Sequence, residues 1–347
     1  MSPQRGIVLF GRGCNTGTAP VSEKGLFSQN VIAVIWDFDK TLSPHYMQRP
    51  LFRAYGIDED AFFAEVNQLP DYYRRAGIRV QRDTCYLGHL LSYVHHGKLP
   101  GLTNAKLREL GAAIEFYPGI PGLFDRLAQV LATPEFRLGD LHLEHYVVST
   151  GLAEMVRGSA VATRLEGIWA SEFIETPAAP GADLSRPPQS GTISQIASFL
   201  DNTTKTRALF EINKGIDKLQ SISVNDAIPE EERRVPFKNM IYIADGPSDI
   251  PCFSVVKEHG GLTCAVYDPD SEEHFACAVA LHEAGRVHMI APADYRENGQ
   301  TEMWLRHQVR RIAQRMMLER TKTTEGKVAK GPTHLNPSQS TGPGGGN

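Results

Sequence analysis

Asp37 and Asp39 stand one residue apart in Val31-Ile32-Ala33-Val34-Ile35-Trp36-Asp37-Phe38-Asp39-Lys40-Thr41-Leu42, where an apolar, β-branched run gives way to two carboxylates. The run reads as a buried parallel strand. The loop after such a strand is where open α/β sheets bind ligands. Two acids this close, even half-buried, cost several kcal/mol unless a cation or another partner compensates. Chemistry that employs a cation and paired carboxylates is therefore expected at this loop.

Three further pieces follow downstream. Tyr146-Val147-Val148-Ser149-Thr150-Gly151 is an apolar run ending in hydroxyls and a glycine before a helical pattern. Ser149 and the N–H groups after it could hold an anion there, and Ser149 reads equally as a plain N-cap. Lys205 lies near the start of a helical pattern, where a cation opposes the macrodipole and so suits an anionic target. Solvated lysines are common, and Arg207 and Lys214 compete for the role. Met240-Ile241-Tyr242-Ile243-Ala244-Asp245-Gly246-Pro247-Ser248-Asp249 is another strand pattern that ends in an acid, a tight turn and a second acid. Asp245 and Asp249 suit a hard, oxygen-seeking cation such as Mg²⁺, although a turn or cap aspartate also explains Asp249.

In this order the pieces resemble the haloacid dehalogenase superfamily, and within it the phosphoserine-phosphatase-like branch with a helical cap between the first and second motifs. The resemblance covers about residues 31–290. Asp37-Phe38-Asp39-Lys40-Thr41-Leu42 is similar to the first motif, Ser149 to the second, Lys205 to the third, and Asp245 with Asp249 to the fourth. It implies Mg²⁺ held by Asp37, the Asp39 backbone carbonyl and Asp245, with Asp249 binding directly or through water. It implies Asp37 as nucleophile and Asp39 as general acid and base, with Ser149, Thr150 and Lys205 holding the phosphoryl oxygens. The acid at Asp39 favours phosphatase or phosphomutase chemistry over the dehalogenases and ATP-driven pumps of the superfamily, which lack it.

The chain departs from the branch at Thr150-Gly151, where two glycines are usual, and at Ala244 and Ser248, where Gly and Asn are usual. Serine specificity is therefore not carried over. A long cap favours a small, enclosed substrate, because closure excludes water. Tyr46, Gln48 and Arg49, just after the first motif, are candidate substrate contacts by proximity alone.

These residues need a sheet to position them. Strands are expected at 31–36, 145–149, 240–244, 262–267 and 287–290, and helices at 121–131, 152–161, 204–214, 248–257 and 301–319. The alternation predicts an α/β fold, a doubly wound parallel sheet with a Rossmann-like core. Residues 43–118 break it with helical patterns only (58–69, 82–95 and 104–114) and read as an inserted α-helical cap. The expected organisation is a flexible segment over 1–29, a core over 30–42 and 119–320, the cap over 43–118, and a disordered tail over 321–347 rich in Lys, Gly, Pro, Ser and Thr. Stretches 174–192 and 221–237 read as surface excursions.

Composition is ordinary for a globular protein, with 41% hydrophobic and 22% charged residues, and 347 residues can bury a large core. A net charge of −4 points to neither nucleic acid nor an acidic membrane. No apolar stretch approaches a membrane span, and no signal-peptide core is evident. Five scattered cysteines without a CxxC pair favour a reduced, cytoplasmic protein. Gly6 to Gly17 mimics a phosphate loop but matches neither GxGxxG nor GxxxxGK[ST]. The helical pattern at 301–319 gathers Leu305, Val309, Ile312 and Met316 on one stripe among arginines, which suits packing on its own domain or a partner surface. Adjacent His95 and His96 fall on different helix faces, which disfavours zinc.

Two functions follow as expectations. One is a Mg²⁺-dependent phosphomonoester hydrolase acting on a small phosphorylated metabolite through an aspartyl-phosphate, with a phosphotransferase as its variant. The other is a non-catalytic binding protein on the same fold, against which the acid at Asp39 argues. The oligomeric state is not legible.

Overall fold

The computed structural model describes residues 28–219 and 221–328. β1 (Val31–Trp36) is buried along its whole length, and its alternate residues feed two different cores. Ile32, Val34 and Trp36 join one apolar cluster, and Val31, Ala33 and Ile35 join another. A period-two strand does this when both faces of its sheet are covered.

After β1 come α1 (Arg49–Tyr55), α2 (Glu59–Arg74), α3 (Cys85–His95) and α4 (Asn104–Gly111). Then follow α5 (Gly122–Leu131), β2 (His142–Leu152), α6 (Ala153–Gly158), β3 (Gly167–Ile174), β4 (Gln195–Ser198) and α7 (Thr204–Lys214). The chain finishes with β5 (Met240–Ala244), α8 (Ile250–Glu258), β6 (Leu262–Tyr267), α9 (Glu272–Glu283), β7 (Met289–Pro292) and α10 (Gln300–Val328). The seven strands lie in the order β4-β3-β2-β1-β5-β6-β7. All neighbours are parallel except β3 and β4. The chain steps outward from β1 to β4, then crosses to β5 on the other side of β1. The strand order therefore reverses at β1, which opens a crevice at its carboxyl end, where Asp37 begins.

The α/β doubly wound core is as the alternation implied, with local differences. β3, β4 and α9 had no clear sequence signal. β3 carries polar Ser171 and Glu172 near the sheet edge, and β4 is a four-residue edge strand with mostly exposed side chains. β7 lies two residues later than expected, and β2 runs to Leu152 rather than ending at Ser149. α6 is shorter than the 152–161 pattern. α2 passes through Pro70 instead of stopping at Leu69; Pro70 is buried, so its packing offsets the missing N–H bond.

α10 continues to Val328, past Arg320, where a tail without structure was expected to begin. Its apolar stripe is covered, because Leu305, Val309, Ile312 and Met316 are buried in the cluster that also holds α5. Arg315 donates to Lys238 O at 2.7 Å and Asn239 Oδ1 at 2.6 Å, so this arginine is not simply solvated. The phosphate-loop mimic at 6–17, Cys14 and most of the tail lie outside the described residues. The described cysteines, Cys85, Cys252, Cys264 and Cys277, are free thiols. Among the described residues, no helix is long and apolar enough to cross a membrane.

The insertion between β1 and α5 contains α1 to α4. Asp58 caps α2 by accepting from Ala61 N at 2.9 Å. Phe62 on α2 then packs against Phe52 (ring centroids 4.8 Å) and Tyr93 on α3 (5.1 Å). These residues are continuous with the sheet-face cluster. α4 is fixed most firmly: a Cβ on Gly158 of α6 would sit 1.7 Å from Arg108 O, and one on Gly111 would sit 2.2 Å from Met155 O. The two backbones approach in a way only glycine permits.

Candidate active site

Asp37 follows β1 directly, and its N–H donates to Ile243 O at 2.9 Å, which sets it level with the end of β5. The chain then turns sharply. Thr41, Leu42 and Ser43 all direct their N–H groups to Phe38 O, at 3.3, 2.9 and 3.2 Å. The turn requires Lys40 at φ 57, a left-handed conformation that costs a non-glycine residue energy and is often found at functional sites. It brings the Asp39 side chain back to the same mouth, where Met47 N donates to its Oδ1 at 2.8 Å.

β5 delivers the second acidic pair. Asp245 leaves the strand end, and the Pro247–Asp249 turn leads into α8. Asp37, Asp245 and Asp249 each offer a carboxylate oxygen, and these atoms lie within 4.8 Å of one another. Lys205 enters from the first turn of α7. Its buried Nζ donates to Asp37 Oδ1 and to Asp249 Oδ1, both at 2.8 Å. Two carboxylates therefore offset the unfavourable end of the helix dipole. The competitors are committed elsewhere: Arg207 pairs with Glu211 at 2.8 Å, and Lys214 donates to Val224 O and Asp226 O at 2.6 Å.

Burial sets the electrostatics. It pushes the Asp39 carboxyl up to about 8, helped by the Asp37 charge. It pushes Asp37 up to about 7 against the pull of Lys205. Asp245 is likewise raised to about 7 by burial and by Asp249. Burial works against the charge on Lys205, yet Asp249 and Asp37 together hold it well above the ordinary lysine range. Three clustered carboxylates against one ammonium leave a charge deficit that a divalent cation would fill. An all-oxygen donor set fits Mg²⁺ better than a softer metal.

Asp249 Oδ1 accepts from Lys205 and from Tyr242 Oη at 2.5 Å, and Oδ2 accepts from Ser248 Oγ at 2.7 Å. With three donors already on it, its clearest task is to orient Lys205. Ser149 is buried, and its Oγ accepts from Gly151 N at 3.0 Å, so it braces the loop as a cap would. Thr150 and Gly151, rather than Ser149, line the cavity. A Cβ on Gly151 would meet Met47 Cε at 2.2 Å, so a side chain there would require the Met47 thioether to move.

The cavity holds about 270 Å³. Asp37, Asp39, Lys205 and Asp245 form its floor, and Tyr46, Gln48, Phe63, Arg82 and Tyr86 contribute from the insertion. Of the three residues singled out by proximity, Tyr46 and Gln48 line it. Arg49 does not: it opens α1, where each residue turns about 100° from the last, and its Nε donates to Glu59 Oε2 at 2.8 Å. Sequence reasoning missed Tyr86, whose hydroxyl donates to Thr150 O at 2.6 Å and ties α3 to the end of β2. It also missed Asn202 and Arg82 in the cavity wall. No local pattern marks these residues, since only the chain fold brings them to the cavity. His95 and His96 lie far from this chemistry in role, stacked edge-on with ring centroids 5.2 Å apart.

No protein-family model matches the chain. An uncharacterized protein of Borreliella burgdorferi is 34% identical over 287 residues, which are 81% of this chain and 97% of that protein. Among solved structures, the chain is similar to a HAD family hydrolase from Salmonella enterica serovar Typhi, at 15% identity and a TM-score of 0.42, over 75% of this chain and 66% of that one. It is also similar to a substrate-bound phosphoserine phosphatase, at 16% identity and a TM-score of 0.39, over 74% of this chain and 91% of that one. A probable phosphoserine phosphatase from Vibrio cholerae has 13% identity and a TM-score of 0.44, over 82% of this chain and 66% of that one. The chain thus spans just under two thirds of the Salmonella and Vibrio proteins. Likenesses this low carry no activity across. Asp37, Lys205, Asp245 and Asp249 gather at the carboxyl ends of β1 and β5, in the middle of the sheet, and the chain belongs to one family with the Borreliella burgdorferi protein.

Proposed function

We propose that the protein is a Mg²⁺-dependent phosphomonoester hydrolase acting on a small phosphorylated metabolite through an aspartyl-phosphate on Asp37. The observation that carries this reading is the division of labour between the two acids of the first motif. Asp37 is held by Lys205 at 2.8 Å. Asp39, two residues on, is turned to the same mouth with Met47 N donating to its Oδ1 at 2.8 Å, and burial and the Asp37 charge push its carboxyl up, towards the form that can give a proton.

An Asp37 oxygen attacks phosphorus while the bond from phosphorus to the ester oxygen breaks, and Asp39 gives its proton to the departing oxygen. The Asp39 carboxylate then takes a proton from water, whose oxygen attacks phosphorus and releases the Asp37 carboxylate. Lys205 neutralises the phosphoryl oxygens, and Thr150 lines the same cavity. Mg²⁺ held by Asp37, Asp245 and the Asp39 backbone carbonyl, with Asp249 reaching it directly or through water, would supply further charge neutralisation. Tyr86 and Met47 keep the insertion over the floor, which limits water.

The test is hydrolysis of phenyl phosphate by the full chain with Mg²⁺. Turnover that EDTA and Asp37→Asn each abolish supports the reading. A folded, Mg²⁺-supplied protein inert against a broad panel of phosphomonoesters refutes it.

A further inference from the structure

One buried polar atom in the cavity has no partner. Gln48 is 3% exposed and its Oε1 accepts no hydrogen bond. It lines the same cavity as Asp39, the proposed proton donor to the leaving group, and neighbours the Tyr86 hydroxyl. An amide oxygen has two lone pairs, and leaving both unmet in a buried site costs free energy that a bound donor recovers.

The rest of the wall limits what that donor can be. Asn67, Thr150 and Asn202 add neutral amide and hydroxyl groups, and Tyr46 stacks on Phe63 with ring centroids 4.7 Å apart. The charges contributed by the insertion are Arg82 and Asp83, adjacent, exposed and opposite in sign. A leaving group with an ammonium would need a buried carboxylate of its own, and Gln48 supplies only a dipole. A leaving group with a carboxylate would face Asp37, Asp39 and Asp245 across a small cavity. Hydroxyl groups carry neither cost. Planar amides beside aromatic faces suit a chain or ring bearing several hydroxyls, and about 270 Å³ suits a small one.

We propose that the substrate is a phosphomonoester of a sugar or polyol, and that Gln48 Oε1 accepts a hydrogen bond from a substrate hydroxyl close to the ester oxygen. This rests on the phosphatase reading. A site built to bond a hydroxyl rejects the analogue that lacks it more strongly than an apolar pocket rejects an added one.

The experiment compares kcat/KM of the Mg²⁺-supplied full chain for glycerol 1-phosphate, n-propyl phosphate, glucose 6-phosphate, O-phosphoserine and phenyl phosphate. We expect glycerol 1-phosphate to exceed n-propyl phosphate at least tenfold, a factor on the scale of one buried hydrogen bond. Gln48→Met, which keeps the length and removes the acceptor, should bring that ratio close to one. Gln48→Glu, which keeps an acceptor, should retain more of it than Gln48→Met. Equal rates for the hydroxylated and deoxy pair overturn the proposal, as does O-phosphoserine outrunning both polyhydroxy substrates or a ratio that survives Gln48→Met. If Gln48→Met does not fold, the wild-type comparison decides alone. Turnover of any of the five esters separates the two failures: with it, only the substrate assignment falls; with none of them hydrolysed, the phosphatase reading falls too.

Discussion

Lys205 Nζ lies 2.8 Å from Asp37 Oδ1 across 168 positions of sequence, and the same nitrogen reaches Asp249 Oδ1 at 2.8 Å. All three side chains are buried. This ammonium is at once the phosphoryl-binding cation of the proposed mechanism and the charge that makes two buried carboxylates tolerable. Lys205→Met should therefore remove activity and also destabilise the protein by about 3–5 kcal/mol, the range for breaking one partner out of a buried ion pair. Urea unfolding of the variant checks it, and a melting curve matching wild type would contradict the stated role.

Asp39 separates leaving groups. Asp39→Asn keeps the shape and removes the transferable proton. Hydrolysis of an alkyl phosphate should drop roughly 10²–10⁴-fold, the usual contribution of general acid–base catalysis. Hydrolysis of p-nitrophenyl phosphate, whose leaving group needs no proton, should drop much less. Parallel losses on both esters would remove Asp39 from the proton-donor role.

The raised carboxyls make stability depend on pH and metal. Asp37 and Asp245 stand at about 7 and Asp39 at about 8, above the ordinary carboxyl range. The folded state then keeps protons that the unfolded chain releases from about pH 4 upward. The unfolded state binds fewer protons through this window, so metal-free stability falls as pH rises from about 4 to about 8. Mg²⁺ binds the ionised form and should raise the melting temperature more at pH 8 than at pH 5. Calorimetric scans with EDTA and with Mg²⁺ at both pH values provide the measurement.

The glycine contact between α4 and α6 should tolerate nothing larger. Gly158→Ala would put a methyl 1.7 Å from Arg108 O, which is backbone and cannot step aside cheaply. A loss of about 1–3 kcal/mol is expected for such overpacking. Gly88→Ala on α3 meets nothing within 4 Å and should be neutral or slightly stabilising. Chemical denaturation of the pair reads the difference.

The parts of this site that the chain announces locally are those built from strands covered on both faces. β1 and β5 are continuous apolar runs, and an acid at the end of such a run stands out, so Asp37, Asp39 and Asp245 were legible. Lys205 was only a weak anomaly, because its two carboxylates are 168 and 44 positions away. Arg49 pairs with Glu59 instead of lining the cavity, because nearness in sequence says nothing about the direction of a helical side chain. β3 and β4 escaped because strands near a sheet edge need no apolar face on each side. Tyr86 and the unmet oxygen of Gln48 become visible only when the insertion folds over the sheet.

The close seam of α4 and α6 has a mechanical meaning. Where two main chains touch without side chains between them, there is no cushion for one to slide over the other. The insertion is thus moored at its far end, and a rigid swing of the whole unit would have to shear that seam. What freedom remains belongs to α1, α2 and α3, which meet the rest of the protein through side chains, in the apolar cluster and in bonds such as Tyr86 to Thr150, rather than main chain on main chain. Amide exchange in α4 should then be as slow as in the sheet, and α2 should exchange sooner. The protein would breathe through the lip of its pocket while the mooring stays still.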